Sequence, residues 1–181
     1  MNKVFMLILT MVFSVQTDNS EKVICRQGSV SFFSYTSVEN IKAQNNQVSS
    51  IIDFESSKIA VSMLMNAFVF EKALMREHFN ESYIESDIYP KATFEGKIID
   101  FDPSIEGEQT RMVRGTFSMH GVNKELEIKT KIENIEGKYV LSGTFEAYVK
   151  DYNIKIPPLL AGNIAKTISV DFRFEYEPYE S

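Results

Sequence analysis

Glu125-Leu126-Glu127-Ile128-Lys129-Thr130-Lys131-Ile132-Glu133 alternates charged residues with uncharged ones, and hydrocarbon fills every even position but Thr130. A period of two is a strand with one dry face and one wet face. The same reading extends to both sides. Phe94, Gly96 and Ile98 oppose Thr93, Glu95 and Lys97. Val113, Phe117 and Met119 oppose Arg114, Thr116 and Ser118. Leu141, Phe145, Ala147 and Val149 oppose Ser142, Thr144, Glu146 and Lys150. Ile168, Val170, Phe172 and Phe174 oppose Ser169, Asp171, Arg173 and Glu175. Successive strands of this kind predict a curled antiparallel sheet whose inner face is nearly all hydrocarbon.

The front of the chain is less regular. Val23 to Val38 reads as one or two strands, with Val30, Phe32 and Tyr35 as apolar markers and an adjacent Phe32-Phe33 pair blurring the alternation. Gln44-Asn45-Asn46-Gln47 reads as a polar turn, and Val48 to Glu55 as the next strand. Ile59 to Phe70 is apolar on both parities, the pattern of a strand covered on both faces. The expected cover is a helix over Glu71 to Ser82, where Leu74, Met75, His78, Phe79 and Ser82 form one stripe. Residues 102–107, 120–123 and 136–137 carry turn chemistry, and Ile154 to Gly162, broken by Pro157 and Pro158, reads as an irregular crossing loop. About eight strands and one short helix predict an all-β protein, an eight-stranded antiparallel barrel. Closure removes the sheet edges.

With 181 residues the chain suits one domain. Lys3 followed by the apolar run Val4 to Val15 is too short to span a bilayer and has the form of a secretory signal peptide over residues 1–17. The barrel domain is then expected over residues 23–177, in a periplasmic or secreted protein with no integral membrane segment in the mature chain. Loss of Lys3 takes the net charge from −6 to −7. An acidic surface with no basic run argues against nucleic acid as a partner. Cys25 is the single cysteine, so no intrachain disulfide can form. It either packs in the first strand as a small hydrophobe, which is the expectation, or pairs two chains in a homodimer.

Glu71-Lys72-Ala73-Leu74-Met75-Arg76-Glu77-His78-Phe79-Asn80 leads into Tyr89-Pro90-Lys91-Ala92-Thr93-Phe94, and Gly115-Thr116-Phe117-Ser118-Met119-His120-Gly121-Val122-Asn123-Lys124 follows. Together, over roughly Gln27 to Tyr176, these resemble the YceI-like family of exported, lipocalin-like proteins. That family shows a helix ending in a His-Leu/Phe pair, then Tyr-Pro-x-x-Thr-Phe, then a strand reading Gly-x-Leu/Phe-x-x-His-Gly-Val-x-Lys. The resemblance implies an extended eight-stranded barrel with a long tunnel for a polyisoprenoid or similar amphiphile. The family's opening strand with its histidine is not evident here.

Chemistry is sparse on the dry parity. Its one conspicuous polar residue is Thr130, while the acids lie on the wet parity. His78 and His120 are the two histidines, too few for a histidine metal site with no cysteine pair to help. His78 is expected to cap the barrel by hydrogen bonding, and His120 to hold its hairpin through the ring nitrogens. No Ser-His-Asp order, phosphate loop or HExxH occurs. No catalytic residue, metal or cofactor is therefore assigned.

The expected ligand-lining set is Met63, Met65, Phe68, Phe70, Phe79, Phe94, Val113, Phe117, Met119, Leu126, Ile128, Leu141, Phe145, Val170, Phe172 and Phe174. Gly96, Gly115, Gly143 and Ala147 on the same face are expected to leave space there. The expected partner is a long-chain isoprenoid or fatty amphiphile. Two alternatives remain: an exported structural or stress-linked protein with a filled barrel and a protein partner, and a lipid hydrolase or isomerase.

Overall fold

The computed structural model describes residues 22–158 and 162–179. The expected signal segment, residues 1–17, lies outside them, as does the part of the crossing loop at 159–161. Nine strands occur among the described residues: β1 Lys22–Tyr35, β2 Asn40–Asp53, β3 Lys58–Leu64, β4 Val69–Phe70, β5 Lys91–Ile98, β6 Gly107–Met119, β7 Val122–Ile135, β8 Lys138–Tyr148 and β9 Thr167–Pro178. Eight of them close into an antiparallel barrel in the order β1-β2-β3-β5-β6-β7-β8-β9, with β1 paired to both β2 and β9. β4 is a two-residue addition on β2, at Ala43↔Phe70 and Gln44↔Val69.

The alternation predicted for β5 to β9 holds. Phe94, Ile98, Val113, Phe117, Ile128, Ile132, Leu141 and Phe174 are buried, and the intervening charges face water. The turns behave as their chemistry requires. His120 and Gly121 have φ of 52° and 73°, Glu136 and Gly137 of 52° and 79°. Positive φ at both central residues is the demand of the type I′ hairpin, whose twist matches that of the strands.

The structure corrects four expectations, three of them at the front of the chain. Gln44 to Gln47 is not a turn but the middle of β2, which runs unbroken from Asn40 to Asp53. The turn lies at residues 36–39, where the Thr36 hydroxyl accepts from the Val38 and Glu39 amides and donates to the Glu39 carbonyl. Asn45 is fully buried. Its side-chain amide donates to the Leu64 carbonyl at 2.8 Å and its side-chain oxygen accepts from the Gln47 amide at 2.8 Å. It fills the ladder where β3 leaves the sheet, a role that hydrophobic patterning cannot show.

The two-parity run from Ile59 to Phe70 is also not one strand covered on both faces. β3 stops at Leu64, a single 3-10 turn at Met65–Ala67 resets the phase, and β4 resumes. The reset turns Met65 and Phe68 inward and leaves Leu64 and Val69 exposed. The helix is shorter than its stripe. α1 is Ala73–His78, and a π turn at Phe79–Tyr83 follows. It lies over the end of the barrel rather than its outer wall, with Met75 and Phe79 facing inward and Leu74 exposed.

Finally, the glycines do not leave space. A side chain at Gly115 would run into the Glu95 carbonyl and the Gly96 Cα, and one at Gly96 into the Phe94 ring and the Arg114 carbonyl. These glycines, paired across β5 and β6, permit close backbone approach. The Phe172 ring likewise lies over Gly143.

The end of the barrel away from α1 is solid. Ile52, Ile98, Ile132 and Tyr176 are buried side by side, and the Ser50 and Tyr176 hydroxyls share a hydrogen bond of 2.7 Å inside the core. Below them Phe54, Phe101 and Tyr139 pack ring against ring, with centroids 4.7 to 6.4 Å apart. The Tyr139 hydroxyl donates to the Pro103 carbonyl at 2.9 Å.

Cys25 sits in β1 at 2 % exposure, as expected, and burial pushes its thiol up. The thiolate is the reactive species. Native protein should therefore resist iodoacetamide at about pH 8, while urea-unfolded protein is alkylated. Labelling of the native thiol at the unfolded rate would contradict this burial.

Candidate functional site

Above the solid end the barrel encloses an elongated cavity of about 260 Å³. Two aromatic walls hold it open. On one side Phe32 of β1, Phe68, Phe70 of β4 and Phe79 form a cluster with centroid separations of 5.0 to 5.8 Å. On the other side Phe117, Phe145, Phe172 and Phe174 run from β6 across to β9, with Tyr152 against Phe117 at 5.7 Å. Rings are stiff and large, so two such walls prop the strands apart where smaller residues would let the core collapse.

All sixteen residues assigned to the lining from sequence border this cavity. Met63, Met65, Phe68 and Phe70 come from β3 to β4, Phe79 from the segment after α1, and Phe94 from β5. Val113, Phe117 and Met119 come from β6, Leu126 and Ile128 from β7. Leu141 and Phe145 come from β8, and Val170, Phe172 and Phe174 from β9. Sequence reasoning missed Val30, Phe32 and Ser34 of β1, Ile59 and Val61 of β3, and Ile168 of β9. The parity shared with Met63 and Val170 pointed to Ile59, Val61 and Ile168, whereas Phe33 hid Phe32. Tyr152, Ile154 and Ile164 enter from the crossing loop, where no periodicity marks them. Gly96, Gly115 and Gly143 do not border the cavity; Ala147 does.

Polar groups are few and mostly engaged. The Thr130 hydroxyl donates to the Arg111 carbonyl at 3.0 Å. The Ser34 hydroxyl accepts from the Ala165 amide at 2.9 Å, tying the crossing loop to β1. Burial, reinforced by the Asp151 carboxylate, pushes the Tyr152 phenol up to about 12, so it stays neutral. Burial also raises Tyr83. At the mouth Glu39 and Lys72 pair at 2.7 Å, joining the β1–β2 turn to the start of α1. His78 borders the mouth and is exposed, and its ring makes no hydrogen bond among the described residues, so the expected hydrogen-bonding cap is not there.

His120 does more than hold its turn. Its Nδ1 lies 2.8 Å from the Tyr152 carbonyl and its Nε2 3.1 Å from Glu85 Oε2, with the Tyr89 ring 4.5 Å away. One imidazole thus pins the crossing loop and the segment after α1 to the β6–β7 hairpin. Both partners are acceptors, and a ring with one N–H can satisfy only one of them.

The family model of the YceI-like domain matches residues 21–176. Curated relatives include UPF0312 proteins of Pseudomonas savastanoi pv. phaseolicola and Pseudomonas syringae pv. syringae. Each is 29% identical over 129 residues, 67% of this chain and 62% of the relative. The chain thus spans under two thirds of the length of those relatives. Among solved structures, a polyisoprenoid binding domain from Saccharophagus degradans implicated in plant cell wall breakdown superposes with a TM-score of 0.75 at 14% identity, covering 88% of this chain and 99% of that one. Burkholderia cenocepacia BcnA gives 0.69 at 13% identity, covering 83% and 96%. A Campylobacter jejuni YceI protein gives 0.59 at 17% identity, covering 81% and 90%. Identities this low establish a common fold.

His120→Ala leaves the buried Tyr152 carbonyl without its partner and should cost about 1–3 kcal/mol of stability. Urea unfolding measures that loss, and hydrogen exchange should quicken first in residues 84–90 and 149–158. Unchanged stability with unchanged exchange would show that the pin is idle.

Proposed function

The chain belongs to the YceI-like domain family, and from that premise we propose that it is a non-enzymatic binder of a long-chain isoprenoid or other amphiphilic lipid, held in the upper part of the barrel. The observation that carries this reading is the cavity itself, a space inside the barrel walled by hydrocarbon and aromatic rings. Water gains little there, because a water needs two to four polar partners. A lipid tail gains its full transfer free energy. Burying about 12 methylene equivalents at about 0.8 kcal/mol each gives about 10 kcal/mol. Ordering the chain offsets several kcal/mol, and micromolar binding needs only about 8 kcal/mol net.

The sparse polar lining favours binding over catalysis. The Thr130 and Ser34 hydroxyls are committed to backbone partners, and Tyr152 stays a neutral phenol. The Saccharophagus degradans structure, a polyisoprenoid binding domain, lends support, since the two share a fold. Met63, Met65 and Met119 suit a wall that must adapt to a flexible chain. The apolar run Val4 to Val15 supports action in a periplasmic or extracellular compartment, where the protein sequesters or carries its ligand.

Protein purified from its native host without detergent should yield a lipid on organic extraction, identified by mass spectrometry. Phe145→Asp or Phe172→Asp should abolish loading while urea unfolding still shows a cooperative transition. Native protein with no bound lipid and no uptake of quinones or fatty acids would overturn the reading.

A further inference from the structure

The cavity has a floor, and the floor sets how much chain the protein can shelter. Val113, Thr130, Leu141 and Phe174 are the lowest lining residues on β6 to β9. Immediately beneath them Ile52, Ile98, Ile132 and Tyr176 are buried and do not border the cavity. The Ser50–Tyr176 hydrogen bond ties that layer across the barrel, and the Phe54–Phe101–Tyr139 cluster closes the end below it. The space is therefore a blind well with its mouth at the α1 end.

Its depth follows from the strands. The lining runs from Phe174 to Ile168 on β9 and from Leu141 to Val149 at the top of β8. At about 3.3 Å per residue and a tilt of about 40°, those spans rise roughly 15–20 Å along the barrel axis. An extended hydrocarbon advances about 1.3 Å per bond, given a C–C length of about 1.5 Å. The well is therefore deep enough for about 12–16 backbone carbons. The volume is the tighter bound: 260 Å³, at about 30 Å³ for each water-sized group, holds about 9 methylene-sized groups. Depth and volume together bracket the sheltered tail between about 9 and 16 carbons.

We propose that this protein selects its ligand by tail length, sheltering a single chain equivalent to two to four isoprene units and leaving anything longer outside. The inference rests on the lipid-binding reading above and adds the size class of the ligand. A much longer polyprenyl chain would keep most of its hydrocarbon in water at the mouth. Inside the well the Thr130 and Ser34 hydroxyls are engaged by backbone groups and Tyr152 presents a neutral phenol, whereas the charged pair Glu39–Lys72 stands at the mouth beside His78, so a charged head lies there.

The test is a chain-length series with one head group, read by displacement of a bound fluorescent fatty-acid probe. 1-Alkanols should tighten about fourfold per added methylene while the tail is still entering the well. The gain should fall below twofold per carbon beyond about 16 carbons, where the floor is reached. Prenols should stop improving between two and four units, and longer prenols should bind no more than a few-fold tighter. Val113→Phe raises the floor by filling its lowest ring and should move the break to shorter tails by two or three carbons. A constant increment through the longest alkanols, or a break that ignores Val113→Phe, overturns the length limit and leaves lipid binding standing. No displacement at any length overturns the lipid-binding reading, and this inference falls with it.

Discussion

Closure of the sheet is the constraint on which everything else depends. β1 hydrogen-bonds to β2 on one side and β9 on the other, so each long strand has two neighbours and one inward parity. An inward position cannot be relieved by moving to an edge, because there is none. Each must be apolar, or polar with a partner already in place. Ser34, Asn45, Ser50, Gln109, Thr130 and Asn134 meet the second condition with side-chain hydrogen bonds. Most of what remains is hydrocarbon, and its packing differs along the barrel. Aliphatic side chains and Tyr176 meet in the middle at one end, while two walls of phenylalanine stand apart at the other.

The cap gives that open part its character. Among the described residues, the segments 36–39, 65–90, 149–158 and 162–166 lie at the α1 end. Besides their buried apolar side chains, specific polar contacts hold them. His120 reaches the Tyr152 carbonyl and Glu85, the Ser34 hydroxyl takes the Ala165 amide, and Lys72 pairs with Glu39. An exposed ion pair of the last kind contributes little to stability. A buried, doubly engaged imidazole contributes more. The cap thus joins a few polar fastenings to aromatic packing, Phe68, Phe70 and Phe79 against Phe32 and Tyr152 against Phe117.

The later strands were legible in the sequence because their outer faces are charged and their inner faces apolar, so parity alone assigns β5 to β9. All sixteen lining residues followed from that parity, from the apolar run at Ile59 to Phe70, or from the helical stripe. The earlier strands hide the same geometry behind local exceptions. Asn45 is polar and buried, so Gln44 to Gln47 reads as a turn. The 3-10 turn at Met65 switches parity without a glycine or proline to mark it. β1 carries register shifts between Cys25 and Val30 against β2, which breaks its period where Phe32 and Phe33 also confuse it. Glycine was misread because a missing side chain means space only if nothing else moves in, and here Phe94, Phe172 and neighbouring backbone do. The solid floor was not legible at all. Ile98 and Ile132 carry the same signal as Phe94 and Ile128, and only the stagger of the strands separates filler from lining.

The central claim is that the barrel is hollow toward α1 and filled beyond it. Xenon enters dry apolar cavities and ignores packed cores. Diffraction from crystals pressurised with xenon tests the claim most directly. Xenon is predicted between the Phe32–Phe79 and Phe117–Phe172 walls, with none past the layer of Ile98, Ile132 and Tyr176. A barrel free of xenon throughout, or a column of it reaching Phe54 and Tyr139, would contradict the account.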